Sequence, residues 1–185
     1  MPQDPEHIER EREKWRAFKR RRPTQIVPPG PGQESVWDYP RPPRVETVRR
    51  TLRVEFAGIV LAHSRRVLRV IETASPPVYY VLPEDIRMEF FKASEHETFC
   101  EWKGLARYWS IRVGERHADD AAWSYPRPDA GYEAIQGHLA FLSGKLDACY
   151  LGQERVTPQP RNYYGGWITA DIVGPFKGAP GSQAW

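Results

Sequence analysis

The chain has 185 residues, 18 of them Pro and 7 Trp, with a formal net charge of +3. A 40% hydrophobic and 12% aromatic content excludes a wholly disordered chain, and the lack of any apolar run of about 18 residues excludes a membrane-spanning helix. Pro stands at roughly double its average share of about 5% and is spread along the whole sequence, which argues against a long helical bundle.

The elements follow in chain order. The start, MPQDPEHIERERE, is charged and has no apolar core, so no secretory signal is expected. Residues 4–22 form a charged segment with helical propensity and a thin apolar stripe of Ile8, Trp15 and Phe18. Trp15 and Phe18 are i,i+3 neighbours and can dock on a core. Between Arg10 and Arg22 lie eight Lys/Arg. Such an arm can touch nucleic acid or an anionic surface, or it can simply be a solvated, partly helical tail. The remainder is close to neutral and has no broad basic stripe, which argues against nucleic acid as a partner. Residues 23–35, PTQIVPPGPGQES, read as a Pro/Gly linker.

From residue 36 onward the pattern is β. LRVEFAG, IVLAHS and RVLRVIET are short, rich in β-branched residues and separated by Gly or polar breaks. VYYVL follows the break Ser75-Pro76-Pro77, and RMEFF, TFCEW and RYWSIRV continue the series. One helix is predicted over about 129–140, opened by Pro128-Asp129. FLSGKLDACYL and GGWITADIV close the sequence as further β segments.

VWDYPRP at 36–42 recurs as AWSYPRP at 122–128. The spacing that carries Trp37 to Trp123 also carries Gly58 to Gly144, Ala62 to Ala148, Asp85 to Asp171 and Ile86 to Ile172. With small slips Tyr79-Tyr80 meets Tyr163-Tyr164, and Trp102-Lys103-Gly104 meets Phe176-Lys177-Gly178. Order and spacing shared over most of the chain point to a duplicated β-unit, expected to pack about a pseudo-two-fold axis. The organisation expected is an arm and linker (1–35), a first β-repeat (36–121) and a shortened second repeat (122–185) packed with it as one unit.

The candidate chemistry centres on TFCEWKGLARYWSI. Read as one strand, it sets Cys100, Trp102 and Gly104 on one face and Glu101 and Lys103 on the other, with Tyr108 and Trp109 beyond a possible bulge at Gly104. Lys103, between Trp102 and Gly104, can bind an anionic group or, desolvated, act as base or nucleophile; Lys177 is its match in the second half. Cys100 is a candidate nucleophile with His96 and Lys103 close in sequence, against the alternative of a buried small hydrophobe. Glu72 ends an apolar strand before the Pro-Pro break and can act as acid/base, orient a ligand, or satisfy loop donors. Tyr80, Trp123, Tyr125, Tyr164 and Trp167 supply aromatic surface for a planar moiety, with Trp102 and Tyr108 beside them. The cysteines Cys100 and Cys149 form no CxxC, and the five His show no ligand spacing, so neither a metal nor a cofactor is assigned. No Ser/His/Asp spacing, P-loop or dinucleotide fingerprint is present, so no reaction class is assigned.

The ordered set FAGIVLAHS, RVIET, PPVYYVLPEDI, CEWKGLARYWS, AAWSYPRP and GHLAFLSGKLD resembles the domain of unknown function 427 family, also labelled nucleotidyltransferase-like, over about residues 52–148. Its most specific pieces are Cys100-Glu101-Trp102-Lys103-Gly104, Tyr108 and Ala122-Trp123-Ser124-Tyr125-Pro126. GGWITADIVGPFKGAPG is similar to the longer, duplicated members. The resemblance implies a compact β-fold similar to the Mss4-like β-complex, without its zinc cysteines. Nucleotidyl transfer is not implied for this chain, because no GS motif with a spaced Asp pair is present and the adjacent Asp119-Asp120 would diverge on a strand.

The expected molecule is mainly β (a β-rich α+β fold) with an N-terminal charged helix, cytoplasmic, and compatible with a homodimer. Its expected function is to bind a small anionic or planar molecule, with enzymatic activity left open. The alternative is a protein-interaction module that uses its aromatic, Pro-rich surface and its basic arm.

Overall fold

A computed structural model describes residues 5–185; Asp4 of the N-terminal segment lies outside the described residues. The fold is mainly β. One α-helix, α1, spans Pro5–Ala17. The strands are β1 (Glu34–Ser35), β2 (Arg44–Val48), β3 (Leu52–Phe56), β4 (Ile59–Ser64), β5 (Val67–Glu72), β6 (Ser75–Val81), β7 (Phe91–Cys100) and β8 (Gly104–Val113). After them come β9 (Arg116–Ser124), β10 (Leu139–Phe141), β11 (Ala148–Leu151), β12 (Glu154–Arg155), β13 (Thr157–Pro158), β14 (Trp167–Ile168) and β15 (Ile172–Val173). No helix among the described residues is long and apolar enough to cross a membrane.

Seven strands form an antiparallel sheet in the order β2-β5-β6-β10-β9-β8-β7, and four form a second in the order β12-β11-β3-β4. The period-2 pattern explains how they pack. In β3, Leu52, Val54 and Phe56 are buried and alternate with Arg53 and Glu55. The β3–β4 turn takes positive φ at both Ala57 and Gly58, which matches the right-handed twist of a tight hairpin. The main core joins Leu52, Val54, Phe56 and Leu61 of the smaller sheet to Val67, Tyr79, Ala122 and Phe141 of the larger one. The opposite face of the large sheet carries a second, aromatic cluster with Tyr80, Trp123, Tyr125 and Tyr132. Tyr79 and Tyr80 therefore divide between the two faces, as do Ala122 and Trp123.

Three expectations are corrected or redrawn. There is no helix over 129–140: Gly131 and Gly137 both take left-handed φ, and only a 3-10 turn, Glu133–Ile135, forms before β10. Asp129 does not cap a helix; its backbone N–H donates to the Lys103 carbonyl at 3.1 Å. TFCEWKGLARYWSI is a hairpin, not one strand. Cys100 pairs with Gly104, and Glu101-Trp102-Lys103 make the turn. Gly104 has φ 87°, and a Cβ there would stand 2.9 Å from Asp129 Oδ1, so glycine is required twice over.

The basic arm is docked at three points, although most of its cations stay exposed. Arg12 pairs with Asp129 at 2.9 Å, Arg16 donates to the Glu101 carbonyl at 3.0 Å, and Arg20 pairs with Glu72. Finally, the boundary between residues 121 and 122 falls inside β9, and both halves supply strands to both sheets: β10 lies between β6 and β9, and β11 pairs with β3. The two YPRP segments also differ, since Arg41 is tied to Glu101 whereas Arg127 is exposed.

Candidate functional site

The outer, aromatic face of the large sheet opens into a cavity of about 760 Å³. Its floor is the tip of the β7–β8 hairpin. Because the chain reverses there, Cys100 and Lys103 lie on the same side, and the Lys103 ammonium donates to Cys100 Sγ at 3.3 Å. The Cys100 thiol in turn faces Glu101 Oε2 at 3.9 Å. Lys103 is only 9% exposed. No carboxylate lies within ion-pair distance of it among the described residues. Tyr125 stands beside it, with the ammonium 5.7 Å from its ring centroid.

The walls are aromatic. Tyr80 on β6, Tyr108 on β8 and Trp123 on β9 share one face of the large sheet, with Trp123 6.4 Å from each of the other two rings. His96 extends this surface, 4.5 Å from Tyr108. Tyr164 and Tyr163 stand at the mouth as an edge-to-face pair. Gly165 behind them has φ 69°, and a Cβ there would be 2.3 Å from the Trp123 ring, so the C-terminal segment lies directly on that wall.

The helix α1 supplies the remaining side. Ile8, Glu11 and Trp15 share one helix face by their i, i+3, i+7 spacing and all line the cavity. The acids around the site mostly carry their own cations. Glu11 pairs with Lys14 at 3.1 Å, Glu97 with Arg107 at 3.0 Å and Glu101 with Arg41 at 3.1 Å. Glu72 pairs with Arg20 at 2.5 Å and has Arg41 at 3.8 Å.

Burial and neighbouring charges shift the ionisable groups. Burial pulls the Lys103 pKa down, but Cys100, Tyr125, Tyr80 and Glu72 outweigh it, so the net direction is upward and the amine holds its proton. Burial likewise raises Tyr125, against the opposing pull of Lys103, and brings Tyr80 to about 12. Both phenols are therefore neutral donors at pH 7. Lys177 goes the other way: burial and then Arg20 lower it to about 8.

The family model for the domain of unknown function 427 matches residues 44–152, more than half of the chain. The chain belongs to that family. No curated protein matches it. The 427 domain supplies the cavity floor and sheet walls, namely Glu72, Tyr80, Cys100, Lys103, Tyr108, Trp123 and Tyr125. Segments outside the matched range close the cavity, with Trp15 from one end and Asn162, Tyr163 and Tyr164 from the other.

The expected site residues thus divide. Lys103, Glu72, Cys100, Tyr80, Tyr108, Trp123, Tyr125 and Tyr164 line one cavity of the 427 domain and its extensions. Three others do not reach it. Trp102 sits on the outside of the hairpin turn under the guanidinium groups of Arg16 and Arg41, 5.3 Å and 5.5 Å from its ring. Trp167 is fully buried in the main core, donating to the Phe141 carbonyl at 3.0 Å. Lys177 donates to the main-chain oxygen of Trp185 at 2.6 Å, behind Tyr163 and Tyr164. The groups around Lys103 favour its protonated form, whereas a base or nucleophile acts through the neutral amine.

Sequence reasoning missed Glu11, Asn162 and the ion pairs that Arg20 and Arg41 make with Glu72 and Glu101. The helix residues carried a signal in the spacing of Ile8, Glu11 and Trp15. The ion pairs carried none, since their partners are far apart in sequence.

Proposed function

We propose that the protein binds a small planar molecule bearing an anionic group, with the anion on Lys103 and the flat part against Tyr108, Trp123 and Tyr80. The supporting observation is Lys103 itself. It is a protonated amine at the floor of an aromatic-walled cavity, with no carboxylate partner within ion-pair distance among the described residues. A buried charge without a full set of partners is costly, and an anionic ligand offsets that cost. The ammonium has three donors, of which one reaches Cys100 Sγ, so two remain for ligand oxygens. Aromatic walls with a few polar groups are the usual lining of small-molecule sites. Glu72 serves this site indirectly: its charge is taken up by Arg20 and Arg41, so it holds the arm against the cavity. For an interaction module, three of the arm's cations, Arg12, Arg16 and Arg20, are already engaged within the chain.

The test uses 2-naphthoate, a flat aromatic carboxylate, titrated against the full chain with Trp fluorescence as readout. Saturable quenching that is retained in the Cys100→Ser variant and lost in Lys103→Met supports the reading. No saturable binding in the wild type, or unchanged binding in Lys103→Met, overturns it.

A further inference from the structure

The cavity floor carries more than a binding residue. Cys100 Sγ stands between a protonated amine at 3.3 Å and a carboxylate at 3.9 Å. A cationic neighbour stabilises a thiolate, and a carboxylate can take the thiol proton. A second polar group faces the same space. Tyr125, 5% exposed, lines the cavity, and no residue among those described hydrogen-bonds its hydroxyl. The other cysteine provides the contrast: Cys149 lies on β11, 2% exposed within the main core, and burial pushes its thiol well up.

We infer that Cys100 is a nucleophile that adds to flat, conjugated carbonyl compounds held in this cavity. The proposal rests on the binding reading for the placement of the flat group. The thiol proton passes to Glu101 Oε2, and a bond forms between Sγ and the β-carbon of the substrate. The π-pair of the C=C bond moves to the carbonyl oxygen, giving an enolate beside Lys103 and Tyr125. The Lys103 ammonium protonates the enolate, and the proton held on Glu101 returns to the amine. The net step adds S–H across the double bond, with no leaving group and no oxidant or reductant. The aromatic walls select the substrate class: an aryl enone can lie against Tyr108 and Trp123 with its β-carbon toward the hairpin tip, whereas a small electrophile without an aryl group, such as acrylamide, gains little from them.

The experiment treats the full chain with 4-phenylbut-3-en-2-one, follows adduct formation by intact mass, and locates the adduct by peptide mapping. Acrylamide and free glutathione serve as references. The expected result is a single adduct on Cys100, formed at least about tenfold faster than on Cys149 and, relative to acrylamide, at least about tenfold faster than glutathione reacts. Lys103→Met should slow it by a similar factor, and Cys100→Ser should abolish it. A Cys100 rate no greater than that of Cys149 or glutathione overturns the inference without any variant. An unchanged rate in a folded Lys103→Met protein overturns it as well. Binding of 2-naphthoate to Cys100→Ser is measured alongside. If that binding persists while the wild type forms no adduct, only the addition step fails; if it is absent, the binding reading fails first.

Discussion

The two lysines that the sequence pairs through Trp102-Lys103-Gly104 and Phe176-Lys177-Gly178 end in opposite electrostatic states. Lys103 sits at the cavity floor among Cys100, Tyr80 and Tyr125, and its pKa is raised. Lys177 sits behind the tyrosine pair, next to Arg20, and is lowered to about 8. Both are nearly buried, so desolvation acts on both. What separates them is the sign of the neighbouring charges: polarisable and acidic groups around one, a guanidinium beside the other. A similar local sequence therefore yields a candidate anion site in one place and a structural tether in the other. Likeness of motif does not carry likeness of chemistry.

The largest effect is expected from Arg20→Met. It removes the partner of Glu72 and leaves a mostly buried carboxylate to Arg41 alone, at 3.8 Å. Breaking a buried pair from one side costs about 3 kcal/mol or more, which for a chain of this size is a fall in Tm of roughly 6–12 °C. Differential scanning calorimetry checks it. The same change removes one of the two cations near Lys177, so that lysine should titrate somewhat closer to its usual value, while burial, the larger cause, still holds it down.

Gly165→Ala strikes the other side of the comparison. Its methyl group meets the Trp123 ring in a backbone conformation that suits glycine. Overpacking of this kind costs about 1–3 kcal/mol, and displacing Trp123 should weaken 2-naphthoate binding while leaving the Lys177 titration unchanged. Chemical denaturation and fluorescence titration of the same variant test both halves of the statement.

The smallest effect is a pH dependence. Lys177 has a folded pKa of about 8 against 10.5 for the free side chain. Between those values the unfolded chain binds more protons than the folded one, so stability rises with pH through that window. Below pH 8 both states are protonated and the penalty is constant. The gain is about 1 kcal/mol or more, at least roughly 2–4 °C in Tm. The wild type minus Lys177→Met difference in Tm, measured from pH 7 to 10, should show this rise. A flat difference contradicts the assigned neighbours of Lys177. Lys103 stays protonated throughout, so ligand binding should not follow the same curve.

The strands were legible because their residues make the choice locally. LRVEF, IVLAHS and VYYV alternate or run in β-branched and aromatic residues, and each became a strand. Tyr80, Tyr108 and Trp123 were legible as cavity candidates for the same reason, since position on a strand fixes the face, whereas Trp102 on the turn and Trp167 in the core were not. The hairpin tip was not, because Gly104 carries the same signal in a bulge and in a turn, and only pairing between Cys100 and Gly104 decides between them. Pro128-Asp129 looked like a helix start, but Gly131 and Gly137 and the bond from Asp129 to Lys103 prevailed over that local preference. The arm read as a solvated tail because its docking is entirely long-range, through Asp129, Glu101 and Glu72.

The most direct test is calorimetric titration of 2-naphthoate into Lys103→Met and Lys177→Met. Loss of a charge-assisted hydrogen bond of about 1.5–3 kcal/mol corresponds to roughly a 10- to 100-fold rise in Kd. The account predicts that rise for Lys103→Met, with Tm unchanged or higher because an uncompensated buried charge has been removed. It predicts a Kd within about twofold of wild type for Lys177→Met. Equal losses in the two variants, or no loss in Lys103→Met, would contradict it.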